Sequence, residues 1–350
     1  MRKSTFAAGV LAQLGMLGCV QVAVPGAAES SAPTAFAAEP LVLTEAIPLE
    51  GIKGRFDHFG IGGGRLFVTA LGSNAVIAMN LSARTVEHTI TEVRNPQGVV
   101  YSPETGKIFV SSGTDGKVHV FDATSYQQIA AVDFEGGADN LRYDAANRRV
   151  YVACGDDART GAIATLDAVT NARLDETYPL GGEPEAFQLE KSGPNIYVNV
   201  PDLKQVVVVN RQTRAITRWP LQGVAGNFAM ALDEADHRLF VGTHAPARIA
   251  VFDTRTGQMI AALPGVQGSD DLYFDAERRR IYMPGSQGYI YVYRMNDGDD
   301  YQLVARVPTA LGAATAGYWG KLGKGFDRFY LAVPARGNNP AEIQIYVVQD

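Results

Sequence analysis

A short strand pattern of one aliphatic, one aromatic and one aliphatic residue recurs seven times along this chain. Successive aromatic positions are separated by 42, 42, 46, 43, 42 and 48 residues, a spacing typical of four-stranded β-propeller blades. Runs rich in Val, Ile, Tyr and Phe alternate with clusters of Gly, Asn, Asp and Pro, which predicts strands and turns throughout. The seven aromatic residues are Phe67, Phe109, Tyr151, Tyr197, Phe240, Tyr282 and Tyr330.

A second feature, an Asn or Asp residue, recurs at a nearly fixed distance from the aromatic residue. An Asn or Asp follows the aromatic residue by thirteen positions in four of the first five repeats, and by sixteen in the third repeat. Such a side chain can bond the backbone two residues further on, so we expect it to shape a turn rather than to act in catalysis. The five residues are Asn80, Asp122, Asp167, Asn210 and Asp253.

The glycine-rich segment Gly60–Gly64 fits neither GxGxxG nor the P-loop spacing. It falls where the other repeats carry a tight turn between the first two strands, so we predict a hairpin turn there instead of a phosphate-binding loop.

The two chain ends contain strand-like segments that lack a complete repeat of their own. The segments are Leu41–Leu49 (LVLTEAIPL) and Ala341–Val348 (AEIQIYVV). If they pair within one blade, the ring closes and leaves no open sheet edge. The sequence therefore predicts an all-β fold, a seven-bladed β-propeller of four-stranded blades that occupies residues 38–350 as a single domain.

The repeats resemble a known family in two segments, LFVTALGSNAVIAMNL from Leu66 to Leu81 and IYVNVPDLKQVVVVN from Ile196 to Asn210. Both are similar to the YVTN repeat of exported bacterial propellers, including YncE-like proteins, and the similarity extends over residues 41–350. The resemblance implies seven blades and an extracytoplasmic location, and it implies no common catalytic motif. Ala70 stands where the family usually has Asn.

The first 37 residues have the features of an export signal. Arg2 and Lys3 precede an uncharged apolar run, and Ala35-Phe36-Ala37 is a small-x-small cleavage pattern. We expect a periplasmic or secreted mature protein without a membrane-spanning segment. An alternative is a lipoprotein anchored at Cys19, because MLGC loosely matches a lipobox.

The charge and the cysteine content of the chain limit the kinds of partner and of disulfide that we expect. The chain has 31 Lys and Arg against 37 Asp and Glu, a net charge of −6, without a dense basic run. This composition argues against a nucleic-acid partner. After cleavage only Cys154 remains, so no internal disulfide is expected. His88, His119 and His237 are expected at the surface.

When the seven repeats are aligned, polar residues occupy the same position in most of them, at the start of the innermost strand. Because the strands begin at the same end of every blade, these side chains should meet at one mouth of the central channel. Carboxylates hold four of the seven positions, which are Asp57, Gln97, Asp139, Glu185, Phe228, Asp270 and Thr315. The neighbouring polar residues are His58, Asn140, Asn227 and Asp271, and His244 follows the second strand of the fifth repeat.

Two interpretations of this ring stay open. The side chains could hydrate a water-filled funnel and bond the exposed backbone. Alternatively they form a ligand site, because clustered carboxylates raise one another's pKa or attract a cation. The metal candidates are Asp57, Asp139, Glu185 and Asp270, whose oxygen atoms suit Ca²⁺ or Mg²⁺. A positively charged organic amine would neutralise the same cluster of carboxylates.

These observations support two classes of function. The first is a binding or scaffold protein whose partner is a small molecule or a cell-envelope protein. The second is a divalent-cation-dependent hydrolase or lyase of lactonase type, in which His58 would act as general base. No sequence motif identifies a substrate for either.

Overall fold

The aromatic residue of each repeat lies in the second strand of a four-stranded antiparallel blade. A computed structural model of the chain describes residues 39–134, 136–321 and 327–350, and arranges seven such blades in a ring. The predicted all-β fold and seven-bladed propeller are therefore confirmed. The predicted leader, residues 1–37, and Cys19 within it lie outside the described residues.

Within each blade, the first strand lies nearest the channel and each following strand lies further outward. Strand β1 (Leu41–Leu49) precedes the first complete blade. Blade 1 consists of β2 (Phe59–Gly62), β3 (Arg65–Ala70), β4 (Ala75–Asn80) and β5 (Thr85–Ile90), and blade 2 of β6 (Pro96–Ser102), β7 (Lys107–Ser112), β8 (Lys117–Asp122) and β9 (Gln128–Asp133). Blade 3 consists of β10 (Ala138–Asp144), β11 (Arg149–Cys154), β12 (Ala162–Asp167) and β13 (Arg173–Pro179).

The remaining blades repeat this order. Blade 4 consists of β14 (Phe187–Leu189), β15 (Asn195–Val200), β16 (Gln205–Asn210) and β17 (Ile216–Pro220), and blade 5 of β18 (Ala225–Asp233), β19 (Arg238–Ala245), β20 (Ala247–Asp253) and β21 (Gln258–Pro264). Blade 6 consists of β22 (Tyr273–Asp275), β23 (Arg280–Gly285), β24 (Tyr289–Met295) and β25 (Tyr301–Pro308). Blade 7 contains β26 (Ala316–Tyr318), β27 (Arg328–Val333) and β28 (Ala341–Val348).

The described residues contain short 3₁₀ turns as their helical elements. These turns are Leu71–Ser73, Pro201–Leu203 and Asp297–Asp299. Within the described ranges, no helix has the length and apolar character needed to cross a bilayer.

The two chain ends close the ring within blade 7. Strand β1 pairs with β28 in antiparallel register from Leu41 opposite Val348 to Leu49 opposite Ala341. The strand order β1-β28-β27-β26 makes β1 the outermost strand of this blade. The prediction that both terminal segments share a blade is confirmed.

Each aromatic residue of the repeat packs against the following blade. Phe67 of β3 lies in one buried cluster with Val99, Ile108 and Phe121 of blade 2. Tyr330 of blade 7 packs with blade 1 in the same way, which completes the ring. These rings are at most 2% exposed, so each aromatic side chain supplies a large buried apolar surface to an interface between blades. The requirement for this contact explains why the aromatic residue repeats.

The turn predictions are confirmed at the third strand and at the first hairpin. Asn80 Oδ1 accepts hydrogen bonds from the backbone N–H groups of Ser82 and Ala83 at 3.0 and 2.8 Å. Asp122, Asp167, Asn210 and Asp253 also accept bonds from the backbone two residues on. Between β2 and β3, Gly63 and Gly64 have φ of 59° and 73°, the left-handed pair that a two-residue type I′ turn requires.

The surface placement predicted for the three outer histidines is correct for His88 and His237 and wrong for His119. His119 is only 7% exposed. It lies in the third strand of blade 2, with its ring nitrogens 3.0 Å from Asp115 Oδ2 and 3.2 Å from Gln128 Oε1. A third strand is covered on both faces by neighbouring blades, so its polar residues need partners inside the protein.

Candidate functional site at the funnel mouth

Three of the innermost strands turn their first residues by interrupting the ladder to the second strand. In β6, β10 and β18 the register shifts just after the strand begins, between Pro96 and Val99, Ala138 and Leu141, and Asn227 and Met230. Such β-bulges change the direction of a side chain without ending the strand. The bulges therefore contain Gln97, Asp139 and Phe228, whereas Asp57, Glu185 and Asp270 lie in the loops just before β2, β14 and β22.

A set of buried polar side chains on the second strands supports these bulges. Thr69 Oγ1 accepts a hydrogen bond from the N–H of His58 at 2.8 Å and donates to the carbonyl of Gln97 in the next blade at 2.7 Å. Ser111 links the N–H of Gly98 to the carbonyl of Asp139 in the same manner. The backbone of the mouth is thus fixed from blade to blade.

The mouth encloses a cavity of about 350 Å³. Seven of the residues predicted for the site line it: Asp57, His58, Gln97, Asp139, Asn140, Glu185 and Asp270. They come from blades 1, 2, 3, 4 and 6, so the phase argument collects residues that are far apart in sequence.

Three other predicted residues lie outside the cavity lining. Asn227 is fully buried and donates to Asn199 Oδ1 at 3.1 Å and to the carbonyl of Gln205 at 2.9 Å, so it joins blades 4 and 5 instead of facing a ligand. His244 stacks on Phe228 with ring centroids 4.5 Å apart. Asp271 Oδ2 accepts the N–H of Ala316 in blade 7 at 2.8 Å.

Asp57 is the most buried carboxylate in the cavity wall and has two cationic partners. It is 5% exposed, with Oδ1 2.7 Å from Arg55 Nη2 and Oδ2 3.2 Å from His58 Nδ1. Burial by itself raises the pKa of Asp57, but the charges and hydrogen bonds of His58 and Arg55 outweigh it, and the pKa is lowered. Asp57 is therefore an ionised carboxylate within the wall.

Gln97 connects Asp57 to Asp139. With its amide turned so that both of its polar atoms have suitable partners, Nε2 lies 3.2 Å from Asp57 Oδ2 and 3.3 Å from Asp139 Oδ1. Gly113 leaves the room for this side chain, since a Cβ at that position would meet the Gln97 amide. One amide thus holds two carboxylates at a fixed separation.

Four other carboxyl groups at the mouth have raised pKa values. Burial and the charge of Asp57 raise the pKa of Asp139 to about 7. Burial, Asp139 and Glu183 raise the pKa of Glu185 to about 8. Burial also raises the pKa of Asp270, and burial raises that of Asp271 to about 6. A cation in the cavity would relieve this repulsion.

The predicted role of His58 as a general base does not fit its surroundings. Burial lowers the pKa of His58, but Asp57, and then Asp271 and Asp139, raise it to about 9. The ring is therefore protonated at neutral pH and can donate a proton rather than accept one. Asp139 and Glu185, with pKa values of about 7 and 8, are better candidates for a base.

The group best placed to hold a metal ion differs from the predicted one. One potential ligand atom each from Asp57, His58 and Asp139 lies within 4.8 Å of the others. Glu185 and Asp270 line the same cavity but do not belong to this group. Because the set includes an imidazole nitrogen, its chemistry suits Mn²⁺ or Zn²⁺ better than the predicted Ca²⁺ or Mg²⁺.

Several residues of the mouth were not predicted. Arg55, Asp156 and Glu183 line the cavity from the loops above the ring. Arg142 does not line this cavity but contacts its wall, with Nη1 2.6 Å from Oδ1 of Asn140. Arg142 could have been found, since it is the single charged residue at its phase of the innermost strands, the others being Gly60, Val100, Gln188, Ala231, Tyr273 and Tyr318.

Comparison with known proteins identifies the fold. No protein-family model and no curated protein matches the chain. Among solved structures, U3-55K is 10% identical with a TM-score of 0.71, covering 87% of this chain and 98% of its own. The RRP9 WD40 repeats are 10% identical with a TM-score of 0.72, covering 88% of this chain and 100% of their own.

A streptogramin B lyase is also similar, at 12% identity and a TM-score of 0.68, covering 89% of this chain and 100% of its own. At such identities the likeness concerns the fold alone. The chain is a β-propeller, built like these proteins, with a carboxylate-lined cavity at one mouth of its channel.

Proposed function

We propose that this chain is an exported binding protein that holds a small organic cation in the funnel-mouth cavity. One observation carries the proposal: carboxylates from four blades, Asp57, Asp139, Glu185 and Asp270, line a single cavity of about 350 Å³. Two of them have pKa values near or above neutrality, which a bound cation would lower. Binding of a positive charge would therefore replace protons on these groups.

An aromatic surface in the same wall favours an organic ammonium over a bare ion. Phe228 lines the cavity and is held by stacking on His244, whose Nε2 lies 3.0 Å from the carbonyl of Ser269. An ammonium group can contact both carboxylates and an aromatic face. The cavity volume suits a small molecule rather than a peptide.

The proposed location and family rest on sequence. The leader pattern of residues 1–37 and the YVTN-like repeats support export and kinship with YVTN-repeat propellers. A cell-envelope protein as a further partner at the mouth is compatible with this location.

Organic cations should raise the melting temperature of the purified domain. At 100-fold excess over Kd, a ligand that binds only the native state contributes about 2.7 kcal/mol. The probes are 1,4-diaminobutane, choline and amino-acid methyl esters, each compared with NaCl of equal ionic strength. We expect Asp139→Asn to remove the response and Asp133→Asn, a carboxylate whose side chain is 80% exposed on β9, to preserve it. Equal responses to NaCl and to every amine would contradict the proposal.

A divalent-cation-dependent hydrolase or lyase is the second candidate. It is favoured by the group formed by Asp57, His58 and Asp139, which could hold a divalent cation. A cation there would polarise a substrate carbonyl, while Glu185 could accept a proton. The similarity to a streptogramin B lyase is consistent with an enzyme on this fold but transfers no residue or substrate.

Metal addition separates the two candidates. If the second is right, Mn²⁺ or Zn²⁺ at 100-fold excess over Kd should stabilise EDTA-treated protein by about 2.7 kcal/mol, and Asp57→Asn should abolish the effect. Melting temperatures that stay the same with EDTA, Mn²⁺, Zn²⁺, Ca²⁺ and Mg²⁺ would exclude the metal-dependent candidate and leave the amine-binding function in place.

A further inference from the structure

A second cavity lies between blades 3 and 4, on the face of the ring opposite the mouth. Its volume is about 720 Å³, within the size range of small-molecule sites. The turns that follow β10 and β14, residues 145–147 and 191–194, form its rim. The innermost strands begin at the mouth and end at these turns, and no described residue lines both cavities. The second cavity is therefore a separate space.

Most charged side chains of the second cavity have partners within the protein. Its cationic and acidic lining residues are Arg142, Arg149, Lys191 and Arg211, and Asp144, Glu176 and Glu190. Arg149 pairs with Glu176, and Glu190 accepts hydrogen bonds from within its own blade. Nη1 of Arg211 lies 3.4 Å from Oδ2 of Asp144. Lys191 is exposed at the rim, where water compensates its charge.

Arg142 is the half-buried cation of this lining that has no carboxylate partner among the described residues. It lies on β10, and its Nη1 donates to Oδ1 of Asn140 at 2.6 Å and to the carbonyl of Leu141 at 2.8 Å. Its guanidinium carbon lies 5.3 Å from the centre of the Phe187 ring, which fixes the position of the group.

The other edge of this guanidinium is open to a ligand. Within residues 39–134, 136–321 and 327–350, Nε and Nη2 of Arg142 have no hydrogen-bond partner. Among these residues, the arginine nitrogen that is both buried and without a partner is Nε of Arg280, so solvent reaches the two atoms of Arg142. Because Arg142 lines the second cavity and not the mouth cavity, a ligand approaches these atoms from the second cavity.

The surrounding charges do not replace an ion-pair partner. Tyr273, Asp271 and Asp139 raise the pKa of Arg142, but burial lowers it by more, so this pKa is below its ordinary value. The guanidinium still carries its charge at neutral pH. The protein therefore holds a positive charge that a bound anion would stabilise.

We propose that the second cavity binds a small organic monocarboxylate, whose two oxygens accept hydrogen bonds from Nε and Nη2 of Arg142. The same two atoms of Arg238 bind both oxygens of Asp299, at 2.6 and 2.7 Å, and a planar carboxylate matches this pair of parallel donors. A phosphate carries more than one negative charge and would lie among the carboxylates of the lining, which favours a singly charged group. The site is independent of the amine site proposed at the mouth.

Matched acids and amides test whether the protein recognises a carboxylate. Benzoate, hexanoate, lactate and gluconate, each with its primary amide, and inorganic phosphate are titrated at constant ionic strength by ligand-observed NMR. We expect at least one acid to bind about ten- to a hundred-fold more tightly than its amide, because the amide lacks the charge-assisted bonds to Arg142. Added 1,4-diaminobutane should not displace the acid, since the mouth cavity is separate.

Variants then assign the preference to Arg142. We expect Arg142→Gln to bind the acid and its amide with equal affinity, and Arg142→Lys to keep part of the preference. Arg159→Gln is the control, because it removes a charge whose side chain is 88% exposed in the loop between β11 and β12, and it should keep the whole preference.

The outcomes separate this inference from the proposed function. If no acid binds more tightly than its amide to the unaltered protein, or if phosphate alone binds, the carboxylate site is wrong, whether or not amines bind at the mouth. A preference that persists in Arg142→Gln, or an acid that 1,4-diaminobutane displaces, would place the anion elsewhere and overturn the inference. If acids bind as expected and no amine binds, the second site stands and the amine-binding function fails. The comparison of acid with amide in the unaltered protein remains decisive even if a variant does not fold.

Discussion

The double variant Asp139→Asn, Glu185→Gln should be more stable than the unaltered, metal-free protein above pH 8. Both carboxyl groups are raised in pKa, to about 7 and about 8, which means that the fold disfavours their ionised forms. Amides at these positions keep the shape but remove the repulsion. We expect a gain of about 2 to 4 kcal/mol at pH 9, less than the separate shifts imply, because the groups are coupled and water screens them.

The sign of the pH dependence follows from proton binding. Between the ordinary pKa values of 3.8 and 4.5 and the folded values of about 7 and 8, the folded protein holds more protons than the unfolded chain. The free energy of unfolding therefore falls as pH rises from about 4 to about 8, and these two groups add no further slope above that. His58, raised from 6.5 to about 9, makes stability fall between about pH 6.5 and pH 9.

Urea unfolding at pH 5, 7 and 9, followed by the fluorescence of Trp219 and Trp319, measures these differences. The variant should match the unaltered protein near pH 4 to 5 and exceed it increasingly toward pH 9. Asp133→Asn serves as the matched control, since its carboxylate is 80% exposed and distant from the mouth. If the variant is no more stable than the unaltered protein at pH 9, the fold does not disfavour the ionised forms of these two carboxyl groups.

A gain in stability on removing these carboxylates would itself be informative about function. Residues that lower the stability of a fold are retained where a ligand needs them. The same double variant should lose the stabilisation by amines, so that it is more stable than the unaltered protein without ligand and gains no stability when ligand is added. Hydration of the funnel alone gives no reason for the second effect.

The periodic features of the fold were predictable because each follows from a contact repeated seven times. The aromatic residue recurs because every blade packs on the next, and the terminal strands pair because a closed ring has no open edge. The funnel ring was predictable for the same reason. A residue at the same phase of each innermost strand lies at the same level of the channel, as Asp57 and Glu185 do.

The features that break the repeat were not predictable from phase. The position of a residue in the repeat gives its depth in the channel, but it does not give the direction of its side chain at a β-bulge. Asn227 therefore bonds Asn199 inside the wall, although its neighbour Phe228 lines the cavity. The raised pKa of His58 depends first on its neighbour Asp57, and further on Asp271 and Asp139, which are remote in sequence. The amide bridge of Gln97 likewise needs two carboxylates whose distance only the closed ring defines.

Loss of Arg278 should be among the most destabilising single substitutions at the joint between blade 6 and blade 7. Its side chain is 8% exposed and joins Asp275 of blade 6, at 3.0 Å, to Asp327 and the C-terminal Asp350 of blade 7. Asp275 is 3% exposed in its side chain and also accepts the hydroxyl of Tyr318 at 2.7 Å. Arg278→Ala leaves this carboxylate buried without its cation, which we expect to cost about 3 to 5 kcal/mol.

The control for this substitution is Arg255→Ala. Arg255 bonds Asp253 at 2.6 Å, but its side chain is 60% exposed, so water replaces the lost interaction and we expect a loss below about 1 kcal/mol. Urea unfolding of both variants at pH 7 provides the comparison. Similar losses in the two proteins would mean that water enters the joint and replaces the guanidinium of Arg278.

The position of Arg278 explains why its effect should exceed that of the terminal residue it contacts. Asp350 is 92% exposed in its side chain, so Asp350→Asn should cost little, whereas Asp275 and Asp327 are enclosed where blade 6 meets blade 7. Blade 6 continues along the chain into blade 7, but blade 7 takes its outer strand from the other end of the sequence. If Arg278→Ala loosens this joint, hydrogen exchange should increase first in β1 and β28, ahead of blades 2 to 5.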